Sequence, residues 1–468
     1  MKVMKFGGTS VKDANRIREM ARIVTAENLD AGLVVVCSAM KGVTDDLIFV
    51  AHAAANGDSS WNKRFEEIRT RHYTAIQELF GDKSAALQAE IEIELSELGE
   101  LLQGVSLIKE CSLRTQDLVM SFGERFNNRI CAAYLSTLGY TATYVDARPL
   151  VLTDDTFGTG MVRFAETYSR ISSHFSALWN GKPKNRIAFV TGFVAATEDG
   201  ITTTLGRNGS DYTASIFGAA LQADDIEIWT DVDGVLTVDP RIVEEAFVIP
   251  DLSVEEAMEL SYFGAEVLHP YTMIPAVEKS IPLWIKNTMN PTVRGTRIAK
   301  DVPPSQHPVT GLAVIRDVAL INIVGGGMIG ERGMAAKIFS VLSQVGTNII
   351  MISQASSEHS ICVIVKRLEA IPAVARLREV FADAIKARQI QEVQLVEGLE
   401  IVSAIGANMR GTPGVSGRLF SALGNERINV LAIAQGSGEM NISCVIDGHE
   451  RQKALRAVHR AFFPEAYK

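Results

Sequence analysis

Residues 1–37, MKVMKFGGTSVKDANRIREMARIVTAENLDAGLVVVC, hold one complete strand–helix–strand pattern. Val3, Met4 and Phe6 form a short apolar strand that stops at Gly7 and Gly8. Residues 11–25 then place apolar side chains at helical spacing, among them Ile17, Met20 and Val24. Leu33, Val34, Val35, Val36 and Cys37 make an unbroken apolar run, the pattern of a strand buried on both faces. Similar runs recur at residues 143–145, 187–191 and 226–230, with helical stretches between them. Such alternation predicts an α/β fold with a mostly parallel sheet covered on both sides. Residues 61–108 interrupt it. There, charges are interleaved with Ile and Leu throughout, which predicts a helical insertion outside the sheet.

At 468 residues the chain has room for two or three domains. Its formal net charge of -9 argues against a nucleic-acid or anionic-membrane partner, because neutralising phosphates needs a basic face. No apolar run approaches the roughly 18 residues of a membrane span. Gly7-Gly8-Thr9-Ser10 breaks any apolar stretch before a signal peptide could form. A cytoplasmic location is therefore expected. Cys37, Cys111, Cys131, Cys362 and Cys444 have apolar neighbours and no C-x-x-C spacing, so reduced structural thiols are expected. The histidines show no H-E-x-x-H arrangement, which argues against zinc.

Pro303, Pro304 and Pro308 fall close together and mark a linker. The expected division is a catalytic domain over 1–295, a linker over 296–310, and two further modules over 311–390 and 391–468. The modules follow from an internal repeat. Residues 324–365 align with 405–446 without a gap, at an offset of 81. That register pairs Gly325 with Gly406, Met328 with Met409, Gly330 with Gly411, Gly333 with Gly414, Phe339 with Phe420, Asn348 with Asn429, Gln354 with Gln435 and Glu358 with Glu439. Each copy reads strand, Gly-rich turn, helix, strand, turn, strand. Two copies are too few for a solenoid, so a pair of small βαββ modules is expected.

Three segments carry residues suited to phosphate and carboxylate chemistry. Lys5 ends the first strand, and Gly7 and Gly8 open the turn into a helix. Such a turn lets backbone N–H groups approach phosphate oxygens while the lysine supplies charge. The segment is neither a G-x-x-x-x-G-K-[ST] loop nor a G-x-G-x-x-G fingerprint, and it also reads as an ordinary Gly-Gly turn. Thr204-Leu205-Gly206-Arg207-Asn208-Gly209-Ser210-Asp211 places an arginine fork and an aspartate before a helix. Arginine suits a carboxylate, while Asp211 reads equally as a helix cap. Ile228-Trp229-Thr230-Asp231, with Asp239-Pro240-Arg241 after it, reads as a nucleotide edge or as a plain strand-to-loop boundary.

Taken in order, KFGGTS (residues 5–10), SFGERFNNR (121–129), TLGRNGSDYTA (204–214), IWTDVDGVLTVDPR (228–241) and AMELSYFGAEVLHP (257–270) resemble the signature set of the aspartate kinases. The resemblance implies an amino-acid-kinase fold, a three-layer α/β sandwich on an open eight-stranded sheet. It also implies that the repeat is a pair of ACT-like, ferredoxin-like modules. In size and repeat sequence the likeness is to monofunctional, archaeal-type members, with no homoserine dehydrogenase domain following. The implied reaction moves the γ-phosphoryl group of ATP, with Mg²⁺, to the side-chain carboxylate of L-aspartate. Its product, 4-phospho-L-aspartate, opens the route to lysine, threonine and methionine.

By motif, the resemblance assigns Lys5, Gly7 and Gly8 to the ATP phosphates and has Asp211 organise Lys5 and the metal-bound phosphates. Thr230, Asp231, Leu236, Arg241 and Val267 would border the nucleotide. Ser38, Thr44, Glu124, Arg207, Asn208, Gly209 and Ser210 would hold aspartate, with Glu124 against its ammonium. No metal ligand from the protein is assigned. Leu236 stands where relatives often have tyrosine, and Glu266 where they often have lysine. A role at the end of a helix is favoured over a catalytic one for His269. A carboxylate is already ionised at pH 7, so no general base is needed to create the nucleophile.

Two competing readings are weaker. Gly325-x-Gly327-x-x-Gly330 matches the dinucleotide fingerprint, but no acidic residue ends the next strand and the second copy breaks the pattern. A sensor with a dead kinase domain would have lost Lys5 or Asp211, and both are present. For regulation, Asn348, Gln354, Asn429 and Gln435 offer paired donors and acceptors for a small polar ligand. The likeness to threonine-responsive members makes threonine the expected effector and lysine the runner-up. Pairing of module edges predicts a homodimer or higher homo-oligomer.

Overall fold

The computed structural model describes residues 1–263, 269–326, 333–354 and 359–467. The chain divides into two compact units, described separately.

The first unit comprises Met1–Val235, Pro250–Val254 and His269–Val302. It opens with β1 (Lys2–Phe6), α1 (Ala14–Thr25) and β2 (Leu33–Cys37). The Asp13 side chain caps α1 by accepting from the Arg16 N–H at 2.9 Å, so the helix starts three residues later than its periodicity suggests. Next come α2 (Val43–Ala55), α3 (Ser60–Phe80), α4 (Ser84–Ile108), α5 (Leu113–Thr137) and β3 (Thr141–Val145). They are followed by α6 (Phe164–Trp179), β4 (Arg186–Thr191), the hairpin of β5 (Val194–Ala196) and β6 (Thr202–Thr204), α7 (Gly209–Leu221) and β7 (Asp225–Thr230). The sheet is completed by β8 (Asp251–Ser253), β9 (Leu283–Asn287) and β10 (Thr296–Ala299); between β8 and β9 in sequence lie α8 (Val254–Tyr262), which after Val254 belongs to the second unit, and α9 (Pro270–Glu278).

Eight strands form one sheet in the order β3-β4-β2-β1-β7-β9-β10-β8. All neighbours are parallel except β9 and β10. Strand β10 lies inside the stretch expected as linker, and Thr296, its first residue, is fully buried. The two helices of residues 61–108 do not stand apart as a lobe. Trp61, Phe65, Ile76, Leu95 and Leu102 share one core cluster with Met4 and Phe6 of β1. Strand order reverses around β1, whose neighbours β2 and β7 come from opposite halves of the unit. The carboxyl ends of these strands therefore open into the crevice where α/β sheets bind ligands.

The second unit comprises Leu236–Ile249, Glu255–Leu268 and Pro303–Lys468. Its elements are β11 (Gly311–Val324), α10 (Met334–Gln344), β12 (Ile349–Gln354), β13 (Ser360–Lys366), α11 (Arg367–Val380), α12 (Ala382–Lys386), β14 (Glu392–Ile405), α13 (Val415–Asn425), β15 (Ala432–Gln435), β16 (Asn441–Asp447) and α14 (Arg451–Phe462). The six strands make one sheet, β12-β13-β11-β14-β16-β15.

The repeat is symmetric in space, but each copy lends a strand to the other. The first half of β11 pairs with the second half of β14, and the second half of β11 with the first half of β14. A Cβ on Gly325 would sit 2.3 Å from the Gln389 carbonyl, and one on Gly406 would sit 2.3 Å from the Pro308 carbonyl. Glycine is required at both places because the crossing backbone passes too close for any side chain. The four positions obey the same 81-residue offset, so the internal symmetry extends outward to Pro308 and Gln389. The boundary expected between 390 and 391 precedes a strand whose first half completes the earlier copy's side of the sheet.

Candidate active site

A cavity of about 340 Å³ opens at the carboxyl ends of β1 and β2. Three turns converge on it. Gly8 follows β1; Ser38, Ala39, Met40 and Lys41 follow β2; and Gly206, Asn208, Gly209, Ser210 and Asp211 lead into α7. The first two turns interlock, the Lys41 N–H donating to the Gly8 carbonyl at 3.1 Å. A Cβ on residue 8 would come within 2.8 Å of the Ala39 carbonyl oxygen, so only glycine lets these turns close on each other. Gly42, Thr44 and Asp45 also line the cavity, which brings the start of α2 beside the start of α7. Two helix N-termini give free N–H groups and favourable dipoles for an anion.

Lys5 holds the charged corner. Its Nζ lies 2.6 Å from Asp211 Oδ1. Both side chains are largely shielded, and the pair fixes the lysine at the strand end rather than leaving it to swing in solvent. Glu124 lines another wall, from α5. It is 3% exposed. Its Oε1 accepts from the Ala39 N–H at 3.2 Å, and Oε2 has no hydrogen-bond partner among the described residues. Burial pushes this carboxyl up to about 8, against the smaller lowering by the Ala39 N–H. A buried acid with one free oxygen is suited to receiving a cation. Asn127 and Asn128, the next residues to face β2, donate to the carbonyls of Ser38 at 2.6 Å and Cys37 at 2.9 Å. They pin α5 to the end of β2 and so set where Glu124 stands.

The amino acid kinase family matches residues 1–287, more than half of the chain, and the ACT domain matches residues 321–381 and 402–462. Aspartokinase 1, chloroplastic, of Arabidopsis thaliana is 36% identical over 471 residues, covering 98% of this chain and 80% of that protein. The chain belongs to the aspartokinase family. Bifunctional aspartokinase/homoserine dehydrogenase 2 of the same plant is 39% identical over 470 residues, covering 98% of this chain and 50% of that protein. The chain thus spans about half the length of the bifunctional relatives it matches. Among solved structures, E. coli aspartokinase III in complex with aspartate and ADP superposes with a TM-score of 0.81 at 28% identity, covering 99% of this chain and 100% of that one. The same E. coli protein in complex with lysine and aspartate gives 0.78 at 28% identity, covering 99% of each chain.

In this aspartokinase-family chain the cavity brings together Lys5, Gly8, Ser38, Thr44, Glu124, Asn208, Gly209, Ser210 and Asp211. Gly7 adjoins it, its N–H bonded to the Trp229 carbonyl at 3.1 Å. Arg207 is exposed between Gly206 and Asn208 and does not line the cavity. Thr230 ends β7 and Asp231 follows it, both outside the lining, with Thr230 Oγ1 donating to Asp231 at 3.2 Å. Leu236 and Arg241 belong to the second unit, where Arg241 forks onto Asp239 at 2.9 Å. Val267 and Glu266 lie outside the described residues. His269 is the N-cap position of α9, and among the described residues its side chain makes no capping bond. The lining also includes Lys41, Asp45 and Phe193, which the sequence reading did not single out. Their only signal was position: Lys41 and Phe193 follow β2 and β4, and Asp45 lies in the first turn of α2.

In the second unit a cavity of about 340 Å³ lies at the Gly-rich turn of the later copy, lined by Met409, Gly411, Gly414, Gln435 and Glu439 among others. The Gly411 N–H donates to the Glu439 carboxylate at 2.8 Å. Asn429 is exposed and outside this lining. In the earlier copy Gln354 is exposed at the end of β12, and the backbone N–H of Asn348 donates to Glu369 at 2.7 Å. The matching Met328, Gly330 and Glu358 lie outside the described residues.

Proposed function

We propose that the chain is an aspartate kinase, transferring the γ-phosphoryl group of ATP to the side-chain carboxylate of L-aspartate to give 4-phospho-L-aspartate. One observation carries this reading: a single cavity combines the Lys5–Asp211 pair at a helix start with a buried, unpaired Glu124 oxygen. The first set suits phosphate oxygens, and the second suits an ammonium. An amino acid bound by its ammonium at Glu124 would extend its side-chain carboxylate toward Lys5. The complex of E. coli aspartokinase III with aspartate and ADP supports the same pair of ligands.

In this mechanism the aspartate carboxylate attacks the γ-phosphorus as it stands, and ADP leaves. The protein's work is to align two anions and offset their charge. Lys5 would stabilise the transferring phosphoryl oxygens, held in place by Asp211. The N–H groups opening α2 and α7, with Gly8, Ser210 and Thr44, would orient both reactants. Arg207, at the rim, would meet a carboxylate of aspartate. Thr230, Asp231, Leu236, Arg241 and Val267 are proposed to border the nucleotide. Asp211 is the carboxylate beside Lys5 that fits Mg²⁺ carried on the ATP phosphates, since that ion prefers oxygen donors and binds through few protein carboxylates. When bound it would neutralise phosphate charge.

For regulation we propose threonine as the effector, with lysine as the alternative. Gln435 and the Gly411 turn beside a ready cavity support a small amino acid there, and Asn348, Gln354 and Asn429 are carried as contacts by the repeat alone. Lysine bound to E. coli aspartokinase III favours the alternative. A homodimer through the second unit is also proposed. Ile352 on β12 and Ile433 on β15, 47% and 46% exposed, are repeat-matched apolar residues that such pairing would cover.

The test is ATP-dependent formation of aspartyl hydroxamate in the presence of hydroxylamine, with glutamate and other amino acids as controls. Aspartate should support the reaction and glutamate should not. Equal activity on glutamate, or none on aspartate, would overturn the proposal.

A further inference from the structure

Asp117 is a carboxylate with no exposure at all, placed on α5 two turns before Glu124. It makes three hydrogen bonds to segments distant in sequence. Its Oδ1 accepts from Thr204 Oγ1 at 2.7 Å. Its Oδ2 accepts from the Thr204 N–H at 3.1 Å and from the Gly158 N–H at 2.8 Å. Burial pushes this carboxyl upward, while the three donors oppose that shift. A buried carboxylate satisfied by donors from two other segments fixes their relative position, because loss of any partner strands a buried polar group.

What Asp117 fixes is the support of the cavity's second wall. Thr204 ends β6, and Gly206, two residues on, begins the lining that runs to Asp211. Gly206 is seated directly on the segment that Gly158 belongs to. A Cβ at Gly206 would stand 3.0 Å from Thr159 Cγ2 and 3.4 Å from the Gly158 carbonyl. A further bond ties the same two segments, the Gly160 N–H donating to the Thr204 carbonyl at 2.8 Å. The opposite wall is α5 itself, carrying Glu124. One residue therefore stands at the root of both walls.

We propose that Asp117 is a positioning residue that sets the span between Glu124 and the Gly206–Asp211 wall, and thereby the fit of the amino-acid substrate. This assignment rests on the reading of the cavity as the aspartate site. Asp117 does not line the cavity. It acts through Thr204 and Gly158, so its loss is felt in amino-acid binding more than in nucleotide binding. Leu at this position keeps the bulk but removes both acceptor oxygens, so the Thr204 and Gly158 N–H groups lose the carboxylate that ties them together.

The experiment compares Asp117→Leu, Thr204→Val and Thr204→Ser with wild type in steady-state kinetics over both substrates. Asp117→Leu and Thr204→Val should raise KM for aspartate about tenfold or more, as small misplacements of a binding wall do. KM for ATP should move by less than about twofold. Thr204→Ser, which keeps the hydroxyl, should restore the wild-type KM. Aspartate and ATP parameters that change together, or a Thr204→Val enzyme with normal aspartate KM, would overturn the assignment. Should Asp117→Leu fail to fold, the two Thr204 variants decide. A wild-type protein with no turnover on aspartate would sink the kinase reading instead. In that case hydrogen exchange decides the positioning claim: in Thr204→Val it should quicken across residues 156–160 and 206–210 and not elsewhere, and unchanged protection there would overturn it.

Discussion

If aspartate docks on Glu124 as proposed, burial of that carboxyl should make the binding release a proton. The Glu124 carboxyl is pushed up to about 8 from an ordinary value of 4.5 by loss of water, which the one Ala39 N–H only partly offsets. At pH 7 a group with that pKa is about 0.9 protonated. If the substrate ammonium docks on the free Oε2, the ionised form is favoured and the proton must leave. Calorimetric titration with aspartate, in buffers of different ionisation enthalpy and with a non-hydrolysable ATP analogue present, counts that proton. The expected release is about 0.9 proton at pH 7, falling to about a quarter at pH 8.5, where the empty site is mostly ionised already. Glu124→Gln should abolish the release and weaken aspartate by about 1.5–3 kcal/mol, the scale of a charge-assisted bond. The same shift affects stability. Because the folded value lies above the unfolded one, the empty protein keeps this contribution below about pH 4.5 and loses it as pH rises through about 8. No proton release by the wild type, or an equal release by Glu124→Gln, would refute the placement of the ammonium.

Other substitutions probe the remaining walls. Lys5→Ala should lower kcat by roughly 10²–10³, the effect of removing one preorganised charge from a transition state, while circular dichroism shows the fold intact. Arg207→Lys should weaken aspartate by about 1 kcal/mol, less than a buried arginine would, because the side chain is exposed at the rim; ATP affinity measured alongside should hold. Gly8→Ala forces a Cβ to 2.8 Å from the Ala39 carbonyl, so melting curves should show a loss of about 1–3 kcal/mol and activity should fall with it. Gln435→Ala should blunt inhibition by threonine without changing uninhibited turnover, checked by titrating the effector at subsaturating aspartate.

The parallel sheet was legible because β2 and β4 carry continuous apolar runs, and β1 and β7 are short, largely apolar stretches ended by turn residues, a signal that needs no long-range information. Strand β10 was not. Its four residues, Thr-Arg-Ile-Ala, sit beside a proline cluster, and only its neighbours β9 and β8 turn them into sheet. The repeat register was legible from identities, whereas the exchange of half-strands between β11 and β14 depends on pairing 80 or so residues apart, beyond what local pattern carries. In the site, Lys5, Glu124 and the Gly206–Asp211 turn were found through their motifs. Asp117, Asn127 and Asn128 were passed over, although two of them lie inside a motif, because nothing in a helical sequence says which carbonyl a side chain will reach. Burial of Glu124, which decides its chemistry, is likewise a property of the packed helix and not of its spelling.

The central claim is that the aspartate carboxylate itself attacks phosphorus, and oxygen labelling tests it most directly. Aspartate carrying heavy oxygen in its side-chain carboxylate is turned over with unlabelled ATP and Mg²⁺, and hydroxylamine then cleaves the product at the acyl carbon. The bridging oxygen leaves with the phosphate. Mass analysis should find one labelled oxygen in each phosphate released from the trapped product, and no label when Lys5→Ala is used at equal protein and time. Phosphate without label from an active wild-type enzyme would mean that water, not the carboxylate, took the phosphoryl group, and the account would be wrong.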